Sequence, residues 1–246
     1  MEKIIIAIAL VVVGVSIAFM SCDATGTDKD IIKGNGNLVT SERVVSAFEK
    51  ISVSGNPEVK FNISDEYKVV VKVDSNLVEY TNIYTSGNVL YIEGKKIQKE
   101  TGYSFTKYSV DVYCPVLTGI IVEGDSKFSS NDTIISSTFD IIASGDAIIS
   151  VKVNSNSLTA NMKDFGKLTI VGNSEKSIID INRGDAILDG KGFFTKDSTV
   201  SINGGTVYIC VADKLKADLS GEGQLFYRGQ PSMDLNIGLF SKIEKF

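Results

Sequence analysis

The chain of 246 residues contains no histidine and no tryptophan, and only three prolines and three cysteines. Without histidine it has no Ser-His or Cys-His nucleophile pair, no histidine-ligated zinc and no imidazole base. It also has no P-loop and no Cys-x-x-Cys pair. Gly204-Gly205 does not continue into the Gly-Gly-x-Gly-x-Asp repeat of calcium-binding β-rolls. We therefore predict a protein with no catalytic residues, no metal site and no cofactor.

Basic residues are outnumbered by acidic ones. Lys and Arg number 25 against 30 Asp and Glu, which gives a net charge of −5 and a pI near 4.9. The densest basic spot is Lys95, Lys96 and Lys99. Because phosphate neutralisation dominates nucleic-acid affinity, we predict no nucleic-acid partner.

The N-terminus reads as a targeting segment. An apolar run from Ile4 to Met20 follows Lys3 and ends at Ser21-Cys22, where the composition changes abruptly to polar residues. A small residue before a cysteine at this point resembles a bacterial lipoprotein cleavage box. We predict a lipoprotein signal peptide over 1–21 and a lipid anchor on Cys22, so that two or more acyl chains tie the protein to a membrane. The alternative is an uncleaved signal anchor of about seventeen residues, barely enough to span a bilayer.

The remaining chain is expected to form one domain. Residues 22–36 are polar and glycine-rich and predict a flexible tether, and 37–246 can bury a single core. Cys114 and Cys210 both lie at predicted inward positions about 20 Å apart along the axis, too far for a disulfide. We expect two buried free thiols.

From Leu117 onward the sequence repeats about every twenty residues. Reference points spaced 21, 19, 19, 21 and 17 residues apart are Gly124, Gly145, Asp164, Arg183, Gly204 and Gly221. The positions four before, two before and four after each point are apolar in all eighteen cases. They are Ile120, Val122, Phe128; Ile141, Ala143, Ile149; Ala160, Met162, Leu168; Ile179, Ile181, Ile187; Val200, Ile202, Tyr208; and Ala217, Leu219, Leu225.

A period of two inside a period of about twenty predicts an all-β fold, a parallel β-helix (β-solenoid) with coils of about twenty residues. A two-sheet sandwich would place hairpins every eight to twelve residues and give no reason for recurrence at twenty. Glycine at the corners supplies positive φ, and a neighbouring Asp or Asn bonds the local backbone.

Several motifs resemble the GIN-domain putative adhesins, a family of secreted or lipid-anchored bacterial proteins. The resemblance covers about Gly34 to Phe246. It rests on Phe48-x-x-Ile51-x-Val53-x-Gly55, Val71-x-Val73-Asp74-x-Asn76-Leu77, Gly87-x-x-Leu90-x-Ile92, Val110-x-Val112-x-x-Pro115-x-Leu117-x-x-Ile120, Ser144-Gly145, Ser220-Gly221-Glu222-Gly223 and Tyr227-x-Gly229-x-Pro231. It differs at the corners, which are mostly Gly-Asp here, and it lacks the Gly-Ile-Asn tripeptide. The resemblance implies a β-solenoid with a role in surface attachment and brings no catalytic residues.

If the protein is an enzyme, the acidic residues at the corners are its candidate catalytic groups. Paired carboxylates suffice for glycoside hydrolysis, and the candidate acids are Asp125, Asp146, Asp185 and Glu222. We interpret them as turn residues, because a catalytic pair would occupy one place whereas these recur coil by coil. Arg183-Gly184-Asp185 spells an integrin-binding tripeptide, which we interpret as a corner.

We therefore predict a lipid-anchored, extracytoplasmic bacterial protein of the cell envelope, periplasmic or surface-exposed, that is not an enzyme. Its predicted role is a non-catalytic adhesion or ligand-binding module whose partner is a surface glycan or protein. The alternatives are an envelope scaffold that self-associates through unpaired end strands and a carbohydrate-active enzyme. No motif specifies the residues that bind the ligand.

Overall fold

The computed structural model describes residues 30–95 and 101–246. The predicted signal peptide and the lipid anchor at Cys22 lie outside these residues. The described N-terminal part holds nine strands and one six-residue 3₁₀-helix, Ser75–Tyr80. The strands are β1 Asp30–Lys33, β2 Leu38–Val44, β3 Lys50–Val53, β4 Glu58–Ile63, β5 Lys68–Asp74, β6 Thr81–Ser86, β7 Val89–Gly94, β8 Thr101–Ser104 and β9 Tyr108–Cys114.

The following nine strands wind into a regular solenoid. They are β10 Gly119–Glu123, β11 Lys127–Ser144, β12 Ile148–Met162, β13 Lys167–Asn182, β14 Ile187–Asn203, β15 Thr206–Ser220, β16 Gln224–Arg228, β17 Ser232–Ile237 and β18 Lys242–Lys245. Each pairs in parallel with its equivalent one coil on, and the described chain makes about 7 turns of roughly 19 residues. The predicted β-solenoid is confirmed.

The core is a set of apolar files that run along the solenoid axis. Alternate residues of each strand point inward, so that Ile141, Ala160 and Ile179 follow one another in register on successive coils. All three are at most 1% exposed. Sixteen of the eighteen predicted inward residues are buried.

The two exceptions, Ile187 and Tyr208, are corrections to the predicted pattern. Their neighbours Leu188 and Val207 fill the inward file instead, because Leu168, Leu188, Val207 and Leu225 are consecutive register partners. Leu188 follows Ile181 by seven positions and Val207 follows Ile202 by five, whereas at the other corners the step between inward residues is six positions. A period-two pattern changes face when a corner gains or loses one residue.

The N-terminal part departs from a purely parallel solenoid. β3 and β4 belong to the first coil, but β6 pairs antiparallel with β7, and β5 pairs antiparallel with both β2 and β9. These added strands and the 3₁₀-helix, whose Leu77 is buried, close this end of the core.

A short strand lies within the segment 22–36 that is predicted to be a tether. Asp30–Lys33 form β1, which pairs in parallel with β8. Asn76 fixes the next residues, since its side chain donates to the Lys33 carbonyl at 2.9 Å and accepts from the Asn35 amide at 3.0 Å. Long-range partners therefore order a segment whose composition alone indicated flexibility.

Both described cysteines, Cys114 and Cys210, are buried and free, as expected. Burial raises the pKa of the Cys114 thiol to about 12 and also raises that of Cys210. They remain protonated thiols at neutral pH. Within 30–95 and 101–246, no helix is long and apolar enough to cross a bilayer.

The inward files predict a sharp contrast between adjacent residues. Ile181→Asp should lower the free energy of unfolding by about 4 kcal/mol or more, since it places an unpaired charge at a fully buried site. Asn182→Asp, one residue on and exposed, should change it by less than about 0.5 kcal/mol. Thermal and urea unfolding measure both. Equal losses of stability would show that the inward face is misassigned.

Candidate functional site

A polar pocket of about 330 Å³ lies where the N-terminal strands meet the first solenoid corner. Three stretches line it: the turn between β3 and β4, the segment from β8 to β9, and the corner between β10 and β11. The lining residues are Gly55, Asn56, Pro57, Glu58, Tyr103, Ser104, Phe105, Thr106, Lys107, Tyr108, Asp125 and Lys127.

The first wall is a turn that depends on positive φ angles. Gly55 has φ 81° and Asn56 has φ 66°, a conformation that glycine adopts freely and asparagine tolerates best among other residues. Gly55 also approaches Gly94 so closely that a Cβ on it would lie 2.3 Å from the Gly94 nitrogen. Only glycine fits, so the exposed Asn56 amide is held at the rim by a rigid turn.

The second wall is fixed by the carboxylate of Asp74, which is fully buried. It accepts hydrogen bonds from the Gly36 amide at 2.9 Å, the Thr106 amide at 2.8 Å and the Lys107 amide at 3.3 Å, and from the Thr106 hydroxyl. Burial opposes the charge, but these donors together outweigh it and hold the pKa of Asp74 below its usual value. Asp74 thus ties the pocket segment to the N-terminal residues.

Aromatic side chains continue this wall. The rings of Tyr103 and Phe105 lie 5.1 Å apart in an edge-on arrangement, and those of Phe105 and Tyr108 lie 4.8 Å apart. The ring of Tyr80 lies 5.3 Å from that of Tyr103. Burial raises the pKa of both Tyr103 and Tyr108, so that both phenols stay neutral at physiological pH.

Paired charges complete the site. Lys107 Nζ lies 2.5 Å from Glu58 Oε2, and Lys60 lies 3.8 Å from the other carboxylate oxygen. The hydrogen bond from Lys107 lowers the pKa of Glu58. Glu58 is therefore held ionised beside Lys107, and the pair offers one negative and one positive group to a polar ligand.

The four corner acids lie on the surface, as the turn interpretation expects. Asp125, Asp146, Asp185 and Glu222 are all exposed. Each follows a glycine with positive φ, from 60° to 86°. Asp125 is the member that lines the polar pocket, and so the structure brings one of the four together with Glu58 and Lys107.

Arg183-Gly184-Asp185 forms an ordinary corner of the solenoid. Arg183 has φ 71°, and Gly184 packs against the Asp164 backbone so tightly that a Cβ there would lie 1.9 Å from the Asp164 carbonyl oxygen. In the described part of the chain, no three Asp, Glu, Cys or His side chains gather closely enough to hold a metal ion.

A larger groove of about 430 Å³ crosses the outer face of the solenoid. Its floor holds Asn154 and Asn173, register partners on adjacent coils. The Asn154 side-chain oxygen accepts from the Asn173 amide at 3.1 Å and from its side-chain NH₂ at 3.0 Å. This ladder stabilises the stacking of coils, and the groove offers one ion pair, Lys196 with Glu175, to a ligand. The smaller pocket offers a ligand more charged and aromatic side chains than the groove does.

Sequence reasoning missed most of the pocket. The stretch from Lys95 to Lys107 lacks the apolar alternation by which the other strands are recognised in the sequence, yet it contains β8 and the aromatic wall. The aromatic and basic residues Tyr103, Phe105, Lys107 and Tyr108 are the signal that could have indicated it. Asp74, which ends the apolar strand Val69-Val71-Val73, is a second signal.

The solenoid fold defines the molecule as a parallel β-helix protein. Comparison of its sequence with known families assigns it to one family within this class. Residues 47–231 match the family described as "Putative auto-transporter adhesin, head GIN domain". The chain belongs to this family, and the resemblance found in the sequence is confirmed. No functionally curated protein matches the chain.

Solved structures of low identity share the fold. A putative adhesin from Bacteroides fragilis has a TM-score of 0.80 at 18% identity, with 87% of this chain and 100% of that chain covered. A putative adhesin from Parabacteroides distasonis has a TM-score of 0.72 at 23% identity, with 88% and 100% covered. A structure named "Putative lipid binding protein" from the same species has a TM-score of 0.70 at 18% identity, with 88% and 100% covered.

Asp74 yields a prediction about acid stability. Asp74→Asn should lower the free energy of unfolding by about 2 kcal/mol at pH 7, because the amides and the hydroxyl that bond to this buried carboxylate lose part of their acceptor. The folded pKa lies below the unfolded value of about 3.9, so the carboxylate stabilises the fold above about pH 4. This contribution is lost as the pH falls towards the folded pKa.

Urea unfolding between pH 7 and pH 3 tests this. The stability difference between wild type and Asp74→Asn should shrink below about pH 4. The exposed corner substitution Asp185→Asn is the control and should be near neutral at pH 7. A difference for Asp74→Asn that does not change with pH would contradict the assignment.

Proposed function

We propose that this chain is a lipid-anchored, extracytoplasmic bacterial protein that binds a surface glycan in the polar pocket and acts as a non-catalytic adhesion module. The carrying observation is that one pocket combines an aromatic wall with the Glu58–Lys107 ion pair on a rigid frame. Sugar rings stack on aromatic faces, and their hydroxyl groups bond to charged and amide side chains. Membership of a family named for adhesins supports a role in attachment outside the cytoplasm.

The pocket has the size and form of a small-molecule site. A volume of about 330 Å³ falls at the lower end of the range for ligand pockets, suited to one or two sugar rings. The buried Asp74 and the tight Gly55–Gly94 contact preorganise two of its walls, and rigidity reduces the entropy lost on binding.

The anchor is proposed at Cys22, on the strength of Ser21-Cys22 at the end of the apolar run. Seven residues, 23–29, separate it from β1, and fully extended they reach at most about 25 Å. β1 pairs with β8, the strand that carries Tyr103. An anchored chain would thus hold the pocket near the membrane, where glycans of the cell's own envelope are within reach.

Glycan binding is tested with a matched pair of corner variants. Asp125→Asn, in the pocket, should weaken glycan binding on an array about tenfold, because a charged hydrogen-bond acceptor is lost. Asp185→Asn, at an equivalent corner outside the pocket, should bind as wild type does. Asn56→Gly, which keeps the positive φ and removes the amide, should also weaken binding.

Neither corner variant should change the melting temperature by more than about 2 °C. Equal binding by wild type, Asp125→Asn and Asn56→Gly would place the ligand elsewhere. Release of reducing sugar by the wild type, abolished in Asp125→Asn with unchanged melting temperature, would replace the binding function with an enzymatic one.

The lipid anchor is tested by Cys22→Ser. We expect labelled fatty acid to be incorporated into the wild type, and the variant to move to the soluble fraction or to remain an unprocessed precursor. Absence of label in the wild type would exclude the anchor. This outcome leaves the pocket's glycan binding intact, so the two parts of the proposal fail separately.

A further inference from the structure

The C-terminal end of the solenoid leaves its core open. Met233, Leu235 and Ile237 of β17 continue the inward files of Leu215, Ala217 and Leu219. The earlier three residues are 1 to 2% exposed, whereas the last three are 38 to 42% exposed. In the earlier coils, the next coil covers the inward side chains. At β17 the equivalent side chains face water.

The backbone of β17 is also unpaired on its outer side. The Gly238 amide donates to the Leu219 carbonyl of β15 at 2.7 Å, so by strand alternation Asn236 and Asp234 also direct their peptide groups towards β15. The peptide groups of Met233, Leu235 and Ile237 then point to the outer edge. Among the described residues, no strand pairs with that edge.

The two ends of the solenoid are not complementary. Antiparallel strands and the 3₁₀-helix close the N-terminal end, and β2 on its outside carries the charged residues Glu42 and Arg43. Head-to-tail stacking of copies would have to bury those charges against an apolar end. Because the core is open at one end of the solenoid and closed at the other, the open end can pair only with the open end of a second copy. Such pairing gives a closed two-fold dimer and no filament.

We propose that two copies of this chain join end to end through β17, which pairs antiparallel with β17 of the second copy about a two-fold axis at Leu235. Antiparallel neighbours share a face only if inward residues oppose inward residues, so Leu235 lies opposite Leu235 and Met233 opposite Ile237 of the partner subunit. The two open cores become one continuous core.

The same register sets the outer face of the joint. Asp234 lies opposite Asn236 of the partner subunit, and this carboxylate–amide pair occurs twice. No like charges oppose each other within β17. A two-fold interface requires a strand that is complementary to its own reversed copy. β17 meets this requirement in both its hydrophobic pattern and its charge.

Register-specific disulfide cross-linking in cells that express the full chain tests this pairing. Asp234→Cys and Asn236→Cys are given different tags and co-expressed. In an antiparallel pair, residues 234 and 236 occupy a non-hydrogen-bonded site with Cα atoms about 4.5 Å apart, within the range of a disulfide. Mild oxidation should yield a dimer that carries both tags. Both positions are exposed, so the variants should retain the wild-type melting temperature.

Two controls isolate the register. Each variant expressed alone should give little dimer, because each cysteine then faces Asn236 or Asp234. Asp218→Cys, in the same outward file one coil from the edge, should not cross-link to Asn236→Cys on another copy. Cross-linking of single variants as strongly as the mixture, or none in the mixture, would overturn the proposal. If the mixed variants give no disulfide-linked dimer, and the wild type binds lipid vesicles through Leu239 and Phe240, this end contacts lipid and the proposal is wrong.

Discussion

Everything in this structure depends on in-register parallel stacking. Each coil satisfies its backbone only through the coils above and below it, and buries its inward residues only if their side chains meet equivalent residues on those coils. A coil has no stability of its own. Register therefore matters more than the identity of any residue, and Ile, Leu, Val, Ala and Met all occur in the inward files.

This constraint allows the corners to vary, because a corner needs only to return the strand to its file. Corners with steps of five, six and seven positions between inward residues coexist here, and residues with positive φ, mostly glycines, absorb the difference. The Gly-Asp corners at 124–125, 145–146 and 184–185 are local chemistry repeated for structural reasons. The first of them becomes part of a pocket because segments from outside the repeat pack beside it, which gives one repeated residue a different environment.

The sequence predicted well what is local and periodic. The solenoid, most of the inward files and the buried thiols follow from spacing and parity. Ile187 and Tyr208 were assigned to the wrong face because a fixed offset from the reference points cannot detect a corner one residue longer or shorter. The ordered segment Asp30–Gly36 and the pocket were missed for a different reason. They depend on contacts such as Gly36 and Thr106 with Asp74, at separations of 38 and 32 residues, which no local pattern reveals.

The two ends of the solenoid meet the stacking constraint in opposite ways. At the N-terminal end, antiparallel strands, a 3₁₀-helix and a buried carboxylate replace the missing coil. This irregular structure places aromatic and charged side chains beside the first corner. At the C-terminal end, no strand of the described residues covers β17, and its inward residues are about 40% exposed. Closing an end thus requires non-repeating sequence, which can also carry a binding site. An end left open retains the repeat's own geometry, and the surface most complementary to it is another copy of the same strand in reverse.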